Sequence, residues 1–310
     1  MTQRFELWCR TACVGGKVDE SSARNDAAKL RGQRHLLFAI HGYNDTACEA
    51  SQAYDKFCAR QSALVTAGQD WTFGTPMVEV HWPGDADWGF LRALYYPEAL
   101  KAADQTAALL SNIIRDLLTY AGGELTVDFV THSMGARVAL GAISALRGTQ
   151  GLLIRRCVHM AAAVPVRRLE AATDVLRLGL LEEMRLGKSA SFHSSGDDVL
   201  AYAFPAGESL DAHQEGFMPV ALGHREWVAL PTLSNLKQFD ASPAGHGDYW
   251  GGVDELENEV RTSLEFTVAG SAVPPTRNAS PPRAIDTRAA ETRDMPARAT
   301  GAPNLNCACH

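Results

Sequence analysis

The stretch THSMG (131–135) joins two segments whose apolar residues follow different periods. The run before it, LTVDFV (125–130), is rich in Leu, Val and Phe and is typical of a strand buried on both faces. The run after it, ARVALGAISALRG (136–148), repeats its apolar residues at helical spacing and ends in a glycine. The sequence therefore predicts a strand, a sharp turn that carries Ser133, and a helix.

The same alternation of apolar runs and helical segments extends over the body of the chain. The other predicted strands are HLLFAI (35–40), MVEVHW (77–82), RCVHMA (156–161) and SASFHS (189–194). The predicted helices cover residues 98–120, 134–147 and 253–267. Strands separated by helices of this length are typical of right-handed crossovers. We therefore predict an α/β fold with a mostly parallel central sheet that is flanked by helices.

One domain over residues 1–270 and a disordered tail over residues 271–310 are predicted. The tail is rich in Pro, Ala, Arg and Thr and has no aromatic residue, so it cannot bury enough apolar surface to fold. Of the 310 residues of the chain, 46% are hydrophobic and 21% are charged, which is enough for a sizeable core.

Charge and hydropathy argue against two classes of partner. The net charge of −7 and the lack of a basic stripe argue against binding of nucleic acid. No run of about 18 apolar residues occurs, and the N-terminus lacks the apolar core of a signal peptide. We therefore expect no stable membrane insertion and a cytoplasmic location; the sequence does not indicate the oligomeric state.

The seven cysteines follow no repeating pattern. Cys48, Cys58 and Cys157 lie in periodic segments and are interpreted as small core residues. The terminal CACH (307–310) offers metal ligands but belongs to the predicted tail, and no HExxH or paired CxxC motif is present. No metal and no cofactor are therefore predicted.

Polar residues follow the predicted strands, and in a parallel sheet functional side chains gather at the carboxyl ends of the strands. The segments concerned are HGYN (41–44), WPGD (82–85), THSMG (131–135) and SGDD (195–198), together with AGHGDYW (244–250) before the last predicted helix.

Ser133 is the candidate nucleophile. A serine on a sharp strand-to-helix bend is lifted out of the sheet, and the first amides of the helix point at the reacting oxygen. Gly135 supplies the small neighbour that such a bend needs, whereas Thr131 is bulkier than the glycine usual at its position. The backbone amides of Tyr43 and Met134 are the candidate donors to an oxyanion.

Gly42 permits the tight turn that brings the amide of Tyr43 inward. The same loop also fits an ordinary glycine turn in which Asn44 caps the following helix, and the two interpretations are compatible.

His246 is the candidate general base, and Asp197 is the candidate acid that orients it. His246 lies between two glycines, where a core histidine is unusual. His132, beside the serine, is expected to point away from it and to be packed.

Asp198 is the alternative acid. Neighbouring side chains in extended backbone point to opposite sides, so only one of the two carboxylates can face the imidazole. Val199 is expected to anchor the chain inward, and Asp197, two residues before it, shares that side.

The motifs HGYN, WPGD, THSMGAR, SSGDD and GHGDYW, in this order, resemble the α/β-hydrolase superfamily, and in particular its bacterial esterase and lipase-like branch. The resemblance covers roughly residues 35–265 and leaves the first thirty residues open to additional antiparallel strands. It implies a triad of Ser133, His246 and Asp197 that hydrolyses a small-molecule carboxylic ester through an acyl-enzyme, without a cofactor.

Two other functions stay open at this stage. A protein with this fold could have kept it for binding without catalysis, or the same triad could transfer the acyl group to an acceptor other than water.

The stretch WPGDADWGFLRALYYPEAL (82–100) is rich in aromatic and aliphatic residues. It fits buried core, and it also fits a cover over the pocket that binds the apolar part of the substrate. On the second interpretation the predicted pocket residues are Trp82, Trp88, Phe90 and Leu91.

Overall fold

Seven parallel strands form the centre of the computed structural model, which describes residues 3–66, 75–85, 95–210, 219–227 and 236–250. The strands are β1 (Arg4–Trp8), β2 (His35–Ile40), β3 (Met77–His81), β4 (Leu125–His132), β5 (Leu152–Met160), β6 (Lys188–His193) and β7 (Leu236–Asp240). Their order across the sheet is β1-β3-β2-β4-β5-β6-β7, and every neighbouring pair is parallel.

Helices connect these strands and cover the sheet. They are α1 (Glu20–Ala27), α2 (Ala47–Thr66), α3 (Tyr96–Tyr120), α4 (Gly135–Ala145), α5 (Val166–Glu170), α6 (Val175–Leu186) and α7 (Phe204–Leu210). Helix α4 packs between α3 and α6, and α2 packs against β3. No helix among the described residues is long and apolar enough to cross a membrane.

The prediction of a mostly parallel α/β sheet is confirmed, and the five predicted strands correspond to β2 to β6. The expectation of antiparallel strands near the N-terminus is wrong, because β1 pairs in parallel with β3. Strands β1 (RFELW) and β7 (LKQFD) were missed because both lie at the edges of the sheet and mix polar with apolar residues, so neither forms a dense apolar run. The predicted helix at 253–267 and the predicted tail lie outside the described residues.

The interpretation of the cysteines needs one correction. Cys48 is disulfide-bonded, as is Cys13, whereas Cys157 is a buried thiol and Cys58 a partly buried one. The amide of Ala47 donates to the carbonyl of Cys13 at 3.0 Å, which ties the start of α2 to the loop after β1.

Helix α6 lies so close to α4 that one contact leaves no room for a side chain. A Cβ atom built on Gly179 would stand 2.0 Å from the carbonyl oxygen of Leu140. This contact matters for the site, because α4 begins directly after Ser133.

We predict that Gly179→Ala destabilises the protein, although Gly→Ala inside a helix ordinarily stabilises it by about 1 kcal/mol. The added methyl group must push two helix backbones apart, and overpacking of this kind costs about 1–3 kcal/mol. Urea unfolding of the variant beside the wild type measures the change. An unchanged or higher free energy of unfolding would contradict the close approach of α6 to α4.

Candidate active site

The backbone of Ser133 occupies the left-handed region, with φ of 52°. Few residues other than glycine adopt this conformation, which costs about 1–3 kcal/mol and is found at functional bends. The end of β5 holds the bend on both sides of the serine. The Ser133 amide donates to the carbonyl of Met160 at 3.0 Å, and its carbonyl accepts from the amide of Ala163 at 3.1 Å.

Two glycines allow other chain segments to approach this bend. A Cβ atom on Gly135 would stand 2.5 Å from the carbonyl oxygen of Ile40, so α4 starts in contact with the end of β2. A Cβ atom on Gly42 would stand 2.9 Å from the Cβ atom of Ser133. The loop after β2, which carries the candidate oxyanion donor Tyr43, therefore lies directly against the candidate nucleophile.

This loop after β2 is braced from below by the WPGD segment. The indole of Trp82 donates to the carbonyl of His41 at 2.9 Å, and the amide of Asn44 donates to the carbonyl of Gly84 at 2.8 Å. Trp82, predicted to line the pocket, is 0% exposed and stacks on His41. Its contacts place it beneath the loop rather than at a surface open to substrate.

A buried ion pair, which the sequence did not indicate, fixes the WPGD segment in turn. Arg10 Nη2 lies 2.5 Å from Asp85 Oδ1, and both side chains are almost completely buried. Asp85 also accepts from the amide of Gly15 at 2.9 Å, and Arg10 donates to the carbonyl of Trp82 at 3.2 Å. Burial lowers the pKa of Arg10 and raises that of Asp85, and their mutual attraction opposes both shifts.

The Gly42 amide is engaged by a neighbouring side chain. It donates to Asp45 Oδ2 at 3.1 Å, so the turn that contains Tyr43 is closed by a hydrogen bond. Burial raises the pKa of Asp45 to about 6.

His246 and Asp197 face each other across the ends of β6 and β7. His246 Nδ1 lies 2.8 Å from Asp197 Oδ2, and the Asp197 side chain is 0% exposed. The other carboxylate oxygen, Oδ1, accepts from the amide of Leu200 at 2.9 Å. Asp198, the alternative acid, is exposed. Between the two neighbouring carboxylates, the structure places Asp197 on the histidine.

The reason for this placement differs from the expected one. Val199 was expected to anchor the chain inward, but it is 42% exposed, and Leu200 is the buried anchor at 1% exposure. The chain after Gly196 turns rather than staying extended, and the Asp197 carboxylate accepts from the amide of Leu200 in the helical turn that begins at Val199. The turn, and not strand alternation, directs the Asp197 carboxylate inward.

The loops that carry Asp197 and His246 are bonded to each other. Ser194 Oγ donates to the carbonyl of Ala244 at 2.6 Å, and the amide of Ser195 donates to Ser242 Oγ at 2.9 Å. A Cβ atom on Gly196 would stand 2.7 Å from the carbonyl oxygen of Pro243. Both loops therefore form one unit around the His246–Asp197 pair.

His132 also contacts the candidate base. Its Nε2 donates to the carbonyl of His246 at 2.8 Å, and the two rings lie 4.7 Å apart. The side chain is buried, and burial together with the charge of His246 lowers the pKa of His132 to about 3. A neutral His132 therefore holds the backbone of the histidine loop next to the serine.

A second buried network supports the bend through Thr131. The Thr131 hydroxyl lies 2.8 Å from Nδ1 of His159, and Nε2 of that ring lies 3.1 Å from both oxygens of Glu183. Ser189 donates to the same carboxylate. Thr131 thus occupies the position where glycine is usual in such a bend, and its hydroxyl bonds the buried imidazole of His159. A histidine inside the apolar run RCVHMA was the sequence signal for this network.

Three of the four predicted pocket residues, Trp88, Phe90 and Leu91, lie outside the described residues. The structure therefore describes the base of the site and the residues that brace it.

The arrangement of strands and loops decides the type of fold. A left-handed serine joins the central strand β4 to α4, an acidic residue follows β6, and a histidine paired with it follows β7. The chain has an α/β-hydrolase fold. The acid lies two strands from the serine and the histidine three, on the same side of the sheet, at the carboxyl ends of the strands.

Comparisons with known proteins give matches among solved structures. TT1662 from Thermus thermophilus is 15% identical at a TM-score of 0.42, over 76% of this chain and 89% of that one. Acyl-protein thioesterase 2 from Zea mays is 18% identical at a TM-score of 0.39, over 76% of this chain and 94% of that one. The carboxylesterase CesB from Bacillus subtilis is 9% identical at a TM-score of 0.38, over 75% of this chain and 84% of that one. The sequence matches no protein-family model, and no curated protein matches it.

We predict that Arg10→Met lowers the free energy of unfolding by about 3–5 kcal/mol, because it leaves the Asp85 carboxylate buried without its cation. The double variant Arg10→Met/Asp85→Leu should recover a large part of this loss. Arg24→Met, which breaks exposed ion pairs to Glu20 and Asp116, is the control and should cost about 1 kcal/mol or less. If Arg10→Met unfolded no more easily than the control, the buried pair would have no bracing role.

Proposed function

We propose that the protein is a serine hydrolase that cleaves carboxylic esters of small molecules through an acyl-enzyme intermediate. One observation carries the proposal. A serine in a left-handed bend stands at the end of β4, in the same layer of loops as a histidine whose Nδ1 is bonded to a buried carboxylate. This set of groups is the one that nucleophilic acyl transfer requires.

Ser133 is the proposed nucleophile, and its hydroxyl needs a base because it is a weak nucleophile when protonated. The Asp197 carboxylate accepts a hydrogen bond from the N–H at Nδ1 of His246. This hydrogen bond fixes the tautomer, so that Nε2 keeps its lone pair for the serine proton. After the attack, the charged imidazole is stabilised by the same carboxylate and delivers the proton to the leaving alcohol.

The amides of Met134 and Tyr43 are the proposed oxyanion donors. Met134 is the N-cap residue of α4, so its amide lies at the positive end of the helix dipole. Tyr43 follows Gly42, which lies directly against Ser133. Such donors strengthen as negative charge develops on the carbonyl oxygen, and each contributes about 3–4 kcal/mol to catalysis.

Water hydrolyses the acyl-enzyme in the proposed reaction, with His246 acting as base a second time. The pair of His246 and Asp197 serves both half-reactions, and no cofactor takes part. Trp88, Phe90 and Leu91 remain the proposed contacts of the apolar part of the ester. Trp82 is left out of that set because it is buried beneath the loop after β2.

The cytoplasmic location remains a prediction. Cys13 and Cys48 are disulfide-bonded, and disulfides are rare in the reducing cytoplasm. This feature weighs against a cytoplasmic location and favours an oxidising compartment.

We predict that Ser133→Ala and His246→Ala each reduce kcat/KM by about 10⁴-fold or more with the fold intact, because each removes a group that forms or breaks bonds. Hydrolysis of p-nitrophenyl esters of increasing acyl length measures the loss, and circular dichroism checks the fold. Activity within tenfold of the wild type in either variant would contradict the assigned roles.

The same series of esters tests the choice of acid, with a matched pair of variants. Asp197→Asn should lose at least about a hundredfold in kcat, because the amide favours the wrong tautomer of His246. Asp198→Asn, an exposed neighbour, should stay within about threefold of the wild type. The reverse result would assign the acid to Asp198.

Labelling with a fluorophosphonate probe separates a hydrolase from a binding protein. A hydrolase gives one adduct on Ser133 that is lost in His246→Ala, whereas a catalytically silent protein gives no adduct. Adding primary alcohols to the ester assay then tests the acyltransferase alternative. Transfer of the acyl group to the alcohol in preference to water would favour it.

A further inference from the structure

A second cluster of ionisable side chains lies at the edge of the sheet, between β1 and β3. The register of these parallel strands puts Glu6 opposite Glu79 and Trp8 opposite His81. Alternate residues of a strand share a face, so all four side chains lie on one face of the sheet. The ligand atoms of Glu6, Glu79 and His81 all lie within 4.8 Å of one another.

His81 is a buried imidazole without a hydrogen-bond partner. Its side chain is 0% exposed, and neither ring nitrogen has a partner within the part of the chain that the structure describes. The ring is held by stacking on Trp8, with centroids 4.6 Å apart and an angle of 15° between the planes. A buried polar group of this kind is destabilising unless something binds it, and one of its nitrogens faces two carboxylates.

The two carboxylates of the cluster are already partly bonded, in a way that keeps them in place. Trp8 Nε1 donates to Glu6 Oε2 at 3.0 Å, and Arg4 Nε donates to Glu79 Oε1. The guanidinium of Arg4 is shared with Asp55, at 2.6 Å. Arg4 thus pairs with Glu79 and Asp55, while Glu6 accepts from Trp8. Together the three carboxylates carry three negative charges against the one positive charge of Arg4, which leaves two negative charges.

Glu6 and Glu79 are also direct neighbours across the two strands, where like charges repel each other. A bound cation would remove this repulsion, and a double positive charge matches the two excess negative charges. Glu6 is exposed, so that side of the cluster is open to solvent, while Glu79 and His81 are buried.

We propose that Glu6, Glu79 and His81 form a binding site for one divalent first-row transition-metal ion of the Zn²⁺ or Mn²⁺ type. One imidazole and two carboxylates are ligands that such ions accept, and the imidazole disfavours Mg²⁺ and Ca²⁺. Ligands at about 2.1 Å from a tetrahedral ion lie about 3.4 Å apart. Rotation of the exposed Glu6 side chain closes the site, and water supplies the fourth ligand.

Bound metal would link the edge strand β1 to β3 through side chains. None of the three ligands belongs to the proposed triad, so the expected role is stability and not chemistry. The inference is independent of the proposed ester hydrolysis.

The test uses the full chain with Cys307→Ser and Cys309→Ser, because the terminal CACH contains metal ligands of its own. Isothermal titration with Zn²⁺ and with Mn²⁺, and melting curves in each ion, are measured for this protein and for two variants. Glu6→Gln removes an exposed ligand without disturbing the core. Glu124→Gln is the matched control, since its carboxylate is also exposed and lies outside the cluster.

We expect one ion per chain and a rise in Tm of about 5 °C at a metal concentration about 100 times Kd. Glu6→Gln should weaken binding at least tenfold and leave the metal-free Tm unchanged or slightly higher, because its repulsion of Glu79 is removed, whereas Glu124→Gln should bind as the parent does. The proposal is overturned if no ion binds at about 1 mM. It is equally overturned if Glu6→Gln binds as tightly as Glu124→Gln, because the ion then lies elsewhere.

Discussion

The left-handed backbone of Ser133 is the constraint on which the rest of the site depends. A strand that must turn into a helix at one residue places that residue in a conformation that costs about 1–3 kcal/mol. The structure holds it there with backbone hydrogen bonds from the end of β5 and with close approaches at Gly42 and Gly135. These contacts come from the ends of two other strands, β2 and β5. The bend is therefore specified by the assembled sheet, and the sequence THSMG alone would not maintain it.

Buried polar groups extend this support outward from the bend. The network of Thr131, His159 and Glu183 lies behind β4, and the pair of Arg10 and Asp85 lies behind the loop that faces the serine. Both sets of groups are buried, so forming either one costs desolvation free energy. Removing one partner costs more still, because the other stays buried without it. Such groups restrict the positions that a loop can take, because only one geometry satisfies all of their hydrogen bonds.

The sequence predicts the centre of this molecule better than its edges. Strands β2 to β6 were predicted because the burial of both their faces leaves a dense apolar run, whereas the edge strands β1 and β7 contain several polar residues each and were missed. Ser133 and His246 could be chosen from their turn-forming neighbours. Ion pairs such as Arg10 with Asp85 join residues 75 positions apart and leave no local pattern to find.

The contact of Asp197 with His246 shows how an expected pairing can be found although the local structure expected for it is wrong. Strand alternation with Val199 facing inward favoured Asp197, but Val199 is exposed and a tight turn directs the carboxylate. Alternation is a rule for extended chain, and it does not hold where the backbone begins to coil. The disulfide bond of Cys48 was missed for a related reason, since periodic spacing along the chain does not show which residue lies next to Cys48 in the folded protein.

The direct contacts between the loop that carries Asp197 and the loop that carries His246 have a consequence for how this fold can vary. Ser194, Ser195 and Gly196 contact the segment from Ser242 to Ala244 directly, so the loops that carry Asp197 and His246 are joined by contacts of their own. The amide of Ser194 also donates to the carbonyl of Gly223 at 3.1 Å, so this glycine is part of the same assembly. Helix α7, in contrast, packs on α3. We expect changes of length around α7 to leave the pair of Asp197 and His246 in place, whereas changes around Gly223 would loosen the strand end from which the loop of Asp197 starts.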